Sequence, residues 1–263
     1  MTVDLSTAIR DALLTGDKRS KVMRTRKLVR DWRHGNLPTG FSAAMPDRPE
    51  WPVDLQVLPP SQMPKRGKGG SQRNRVALWH SLAHIEFVAI DLALDIVGRF
   101  GAQMDHAFIT DFLDVAADEA MHFALIERHL GTIGAAYGDL PVHEGLWQAA
   151  GDTAHNLAAR LAIVPMVLEA RGLDVTPATL ERVRSQGDGR GAKILQRILD
   201  DEIRHVAAGS RHFAKICTKN GQNPQNHWKN LVKTHFRGAL KPPFNDSARL
   251  AAGLSRESYA ALV

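Results

Sequence analysis

DEIRHVAAGSRHF (Asp201 to Phe213) decides how this chain is read, because DEAMHFALIERHL (Asp118 to Leu130) carries the same pattern 83 residues earlier. Asp118, Glu119, His122, Ala124, Arg128 and His129 recur as Asp201, Glu202, His205, Ala207, Arg211 and His212. Residues three apart on an α-helix share a face, so each Glu points the same way as its His. Burying a carboxylate beside an imidazole costs free energy unless something pairs with both. A lone Glu-x-x-His is most often an intrahelical hydrogen bond on a wet face. Two in one register ask for a different account.

The same shift carries Glu86 onto Glu169 and Asp91 onto Asp174, and 33 residues separate each upstream Glu from the Glu of its motif. The surroundings read as helix throughout. RVALWHSLAHIEFVAIDLALDIVGRF (75–100) holds no proline and no glycine before Gly98, and Trp79, Glu86, Ile90, Ala93 and Val97 form one stripe. A second helix covers DHAFITDFLDVAADEAMHFALIERHLG, with Gly131 as its stop. After the crossover loop YGDLPVHEG, a third helix runs through LWQAAGDTAHNLAARLAIVPMVLEARG to Gly172, bent by Pro165. A short helix should follow, with Thr176 as cap and Pro177 in its first turn. The fourth long helix spans about 190–218.

Residues 5–33 predict two helices broken near TGDKRS, and the Pro- and Gly-rich stretch from His34 to Gly70 predicts an extended wrapping segment. The expected fold class is all-α. Residues 1–75 supply N-terminal helices and the wrapping segment, 76–219 a four-helix bundle with a long crossover built from two halves, and 220–263 a helical tail.

A pair of iron or manganese ions calls for hard carboxylate oxygens plus an imidazole apiece. In a four-helix bundle, one Glu from each of two helices and a Glu-x-x-His from each of the others meet that need. Here the set is Glu86, Glu119, His122, Glu169, Glu202 and His205. Four carboxylates balance two divalent cations; without metal they would repel and take up protons.

On these residues the chain resembles the ferritin-like di-iron carboxylate superfamily. AHIEFVAIDLALD, YGDLPVHEGLW, VPMVLEARGLDVTP and DDEIRHVAAG are more closely similar to the bacterial ferritin-like family catalogued as DUF455, a likeness that extends to PPFNDSARLAAG. The resemblance implies a ferritin-like bundle with a dinuclear metal site, but no reaction. By the superfamily's pattern, Asp118 and Asp201 correspond to acids that orient a ligand histidine; the plainer alternative for each is a solvated helix acid. His80 and His84 read as supporting or core histidines. His129 and His212 read as packing or surface residues, and Arg204 as a partner for an acid or an exposed side chain.

The leading expectation is activation of O2 or peroxide to oxidise or hydroxylate a small-molecule substrate, with an external electron donor. The ions are iron, manganese or a mixed pair. The alternatives are metal storage, peroxide scavenging, and hydroxylation of a transfer RNA base. Lys and Arg exceed Asp and Glu by six, with much of the excess at 17–34 and 65–75. Those stretches read as solvated surface or as contacts for an anionic partner, nucleic acid included. The one cysteine, Cys217, excludes an intramolecular disulfide and a thiolate cage. No run is apolar enough for a bilayer and no secretory signal is visible, so a cytoplasmic, non-membrane protein is expected. The oligomeric state stays open, a homodimer included.

Overall fold

The computed structural model describes residues 3–64 and 70–262, so part of the basic 65–75 stretch, residues 65–69, lies outside the described residues. The described chain is all-helical; its one β-bridge pairs Val57 with Val142. It divides into two compact units, Met1–Trp147 and Gln148–Val263.

In the first unit, α1 (Leu5–Leu13) starts where the Asp4 carboxylate accepts the Thr7 N–H, and α2 (Lys18–Arg33) starts the same way from Asp17 to Ser20. α3 (Gln72–Phe100) and α4 (His106–Thr132) follow, capped by Ser71 and Asp105. A five-residue connection joins two helices that pack along their length, which makes them an antiparallel hairpin. Trp79, Glu86, Ile90, Ala93 and Val97 are all buried, so the periodic stripe does face the core. α4 passes Gly131, and the left-handed residue that ends it is Gly134 at φ 74°.

Residues 34–64 run over this hairpin with little regular structure. Backbone bonds from Leu5 to Pro38 and from Glu50 to Leu13 tie the segment to α1. Gly98 admits it: a Cβ there would lie 2.2 Å from Met45 Sδ, closer than any side chain tolerates.

α5 (Gly145–Asp152) leads into the second unit. There α6 (Leu157–Ile163), a π-helical turn (Val164–Glu169) and α7 (Ala170–Ser185) form one interrupted rod beside α8 (Gly189–Lys219). The expected helix end at Gly172 and a fresh start at Thr176 do not occur; Pro177 sits inside α7. A proline there cannot donate to the Leu173 carbonyl, and Asn245 Nδ2 meets that oxygen at 3.2 Å instead. Pro165 opens the π turn, where Trp228 Nε1 donates to the Ala162 carbonyl at 3.2 Å. Gly209 on α8 makes room for this bend, since a Cβ would meet Pro165 at 2.5 Å. Both donors come from the tail, which carries α9 (Pro224–His235), α10 (Asp246–Ala251) and α11 (Arg256–Tyr259); only the Asn245 bond replaces the one that a proline cannot make.

Candidate metal centre

In the first unit, α3 presents Glu86 and α4 presents Glu119 and His122, one helical turn apart. The hairpin register brings them together. Each offers a ligand atom within 4.8 Å of the others, and none is more than 4% exposed. His122 Nδ1 stands 3.1 Å from Glu86 Oε2 and 3.4 Å from Glu119 Oε2. Burial, reinforced by the Glu119 charge and opposed by His122, holds the Glu86 carboxyl well above the usual carboxylate range. Such a set is costly in a dry interior without a cation or protons to neutralise it. Two oxygens and an imidazole nitrogen also form a donor set that suits iron or manganese. These residues fit a metal ion on charge, burial and chemistry.

Aromatic and imidazole groups back the cluster. Phe87 and Phe123, next in sequence to Glu86 and His122, pack with tilted rings 5.1 Å apart and both lie against Tyr137. Tyr137 Oη is 2.9 Å from His84 Nδ1, and His84 Nε2 is 2.9 Å from the His143 carbonyl. A carbonyl only accepts, so Nε2 carries the proton and Tyr137 donates to Nδ1. His80 Nε2 accepts from the Gly138 and Leu140 N–H groups and thereby fixes the loop that bears Tyr137. Burial lowers both imidazoles to about 4 and pushes the Tyr137 phenol up. His80 and His84 are core histidines.

In the second unit, Glu169 ends the π turn, half-buried, while Glu202 and His205 are buried on α8. Glu202 Oε2 lies 3.7 Å from His205 Nδ1. Asp201 is buried between Arg197, at 2.5 Å, and Arg204; its counterpart Asp118 is half-buried. His212 is buried, and His129 is buried with its ring edge-on to Trp79 at 4.3 Å.

Sequence reading noted that Asp91 and Asp174 correspond but missed what holds them. Lys21 Nζ reaches Asp91 at 2.6 Å with both side chains fully buried, and Trp51 Nε1 donates to the other oxygen at 3.0 Å. Arg249 clasps Asp174 with two bonds of 2.8 and 2.7 Å and lies over the rings of Phe244 and Tyr259, which also touch each other. The signal was the recurrence of an acid five residues beyond each upstream Glu. The partner cations lie in the terminal segments, which do not repeat.

An all-helical chain with a buried carboxylate–imidazole cluster able to hold a metal ion is the class that fold and site define. Comparison with known proteins adds the particular family. The family described as "Protein of unknown function (DUF455)" matches residues 14–260, and this chain belongs to it. An uncharacterized protein of Haemophilus influenzae is 37% identical over 226 residues, covering 84% of this chain and 76% of that relative. No solved structure matches at a significant level. No helix among the described residues is long and apolar enough to cross a membrane.

Proposed function

We propose that this chain is a dinuclear metal carboxylate protein of ferritin-like architecture that activates O2 or peroxide to oxidise a small-molecule substrate. Glu86, Glu119 and His122 supply one half of the ligand set, and Glu169, Glu202 and His205 the other. Bound iron or manganese ions would supply the electrons that O2 or peroxide chemistry requires. The observation that carries the reading is the convergence of Glu86, Glu119 and His122 in the buried core of α3 and α4, in the same register that the second unit repeats.

The protein's own contribution is positioning and dryness. α3 and α4 hold Glu86 and Glu119 at less than 5% exposure, where each carboxylate binds a cation more strongly than it would in water. Phe87, Phe123 and Tyr137 form an apolar wall beside them that limits water. Asp118 and Asp201, each one residue before a ligand Glu, brace the two Glu-x-x-His turns. An external donor returns electrons after turnover.

Anaerobic loading with ferrous iron, followed by O2, tests the reading. The expected result is rapid O2 uptake with a new visible absorption at two irons per chain. Colourless protein that consumes no O2 overturns it.

A further inference from the structure

Eight Lys and Arg stand against two acids between Asp17 and His34, an excess of six that equals the net charge of the whole chain. The structure sorts these cations. Lys21 is consumed inside on Asp91, and Lys18 pairs with Glu127 at 2.8 Å. Arg19, Arg26, Arg30 and Arg33 remain exposed on one stripe of α2, because their spacings of seven, four and three keep them within about 60° of one another. At 1.5 Å per residue the stripe is about 21 Å long. Lys27 flanks it; Arg33 is held on Asp114 by two bonds of 3.0 and 2.8 Å and Arg30 lies 3.9 Å from Asp31, whereas Arg19 and Arg26 form no ion pair among the described residues.

Arginine is suited to phosphate, whose oxygens match its planar fork. Three polyanions compete for such a row. A lipid surface would hold this row by charge alone, because Val22, Leu28 and Val29 are buried against the protein and only Met23 is exposed on the helix to insert. A single strand binds by stacking bases on aromatic rings, and the aromatic residue of α2, Trp32, is buried. A duplex needs neither, and the B-form major groove admits an α-helix exposed along half its circumference. We infer that the outer face of α2 docks on the phosphate backbone of duplex DNA. The contact is not sequence-reading, because phosphates carry no sequence information. It is independent of the metal reading.

Fluorescence anisotropy with a labelled mixed-sequence duplex of 20 base pairs, titrated with the full chain from 50 to 200 mM KCl, tests the inference. With Arg33 held on Asp114, three arginine–phosphate contacts, from Arg19, Arg26 and Arg30, predict a log–log salt slope of about −2.7. R19E/R26E/R30E should weaken binding at least tenfold and flatten the slope by about three contacts. R19K/R26K/R30K should keep the slope, and K219E/K233E in the second unit should bind as wild type. Circular dichroism and thermal melting establish that each variant folds. No binding at 50 mM, undiminished binding by the folded charge-reversed variant, or binding to phosphatidylglycerol vesicles that excess duplex does not displace would each overturn the inference.

Discussion

The two units share a register of 83 residues yet build around it with different means. Both place a Glu on one helix, a Glu-x-x-His on the next, and a buried Asp five residues beyond the first Glu. Both neutralise that Asp with a cation from a terminal segment, Lys21 in one and Arg249 in the other. The surroundings diverge. The unbroken α3 carries His80 and His84 where the interrupted rod carries Ile163 and Val167, and Leu82 and Ile126 correspond to Pro165 and Gly209. The acids and imidazoles repeat, with Ala124/Ala207 and Arg128/Arg211 beside them, while most of the large packing residues change. A common packing solution would repeat in its apolar residues, so the shared constraint lies in the chemistry of the acids and imidazoles.

The largest effect should come from the ion pairs. Arg249→Met removes the buried partner of Asp174, leaving it only Arg171 at 3.5 Å and the Asn245 N–H at 3.0 Å, and should cost about 3 kcal/mol in urea unfolding. Lys21→Met should behave differently, because burial already raises Asp91 to about 6 in spite of Lys21. Its carboxyl can take a proton instead, so the loss should be clearly smaller at pH 5 than at pH 8. Equal losses at both pH values would contradict that distinction.

Next come the two histidines that only the first unit has. Both titrate near 4 in the folded chain, against about 6.5 when unfolded. Unfolded chains therefore take up protons first. Stability from these groups is complete above about 6.5 and is lost as pH falls toward 4, by at most about 3 kcal/mol for each imidazole. In His80→Gln/His84→Gln this part of the pH dependence should vanish. Hydrogen exchange at pH 5 should show wild-type protection falling first around residues 137–143.

Gly209→Ala should cost about 1–3 kcal/mol by pressing a methyl group against Cβ and Cγ of Pro165, and most of that should disappear in a Pro165→Gly background, which removes both atoms. A cost independent of Pro165 would show that the glycine serves another purpose. A comparable effect, about 1–3 kcal/mol, is expected for Trp228→Phe, which keeps a ring but removes the donor to the Ala162 carbonyl and leaves a small void at a buried position.

The long helices α3, α4 and α8, and the pairing of Glu86 with Glu119 and His122, were legible because periodicity and an internal repeat are properties of sequence; the expected third helix instead breaks between Asp152 and Leu157, where Asn156 caps a new start. Pro177 was misread as a helix start. Local rules treat proline as a breaker, and the donor that lets α7 continue is Asn245, 68 residues away in the chain. Lys21 and Arg249 were invisible for the same reason. In sequence they are two more basic residues among 34, and only folding reveals them as buried counter-ions. The basic stretch at 17–34 was visible as charge, but its division into one buried cation and an exposed arginine row was not.

Metal content per chain tests the central claim most directly. Protein loaded anaerobically with ferrous iron and desalted should retain two ions by elemental analysis, and Glu86→Ala/Glu119→Ala should lose iron while remaining folded. Wild-type protein that retains no more than traces, or a folded double variant that retains the full complement, would contradict the account.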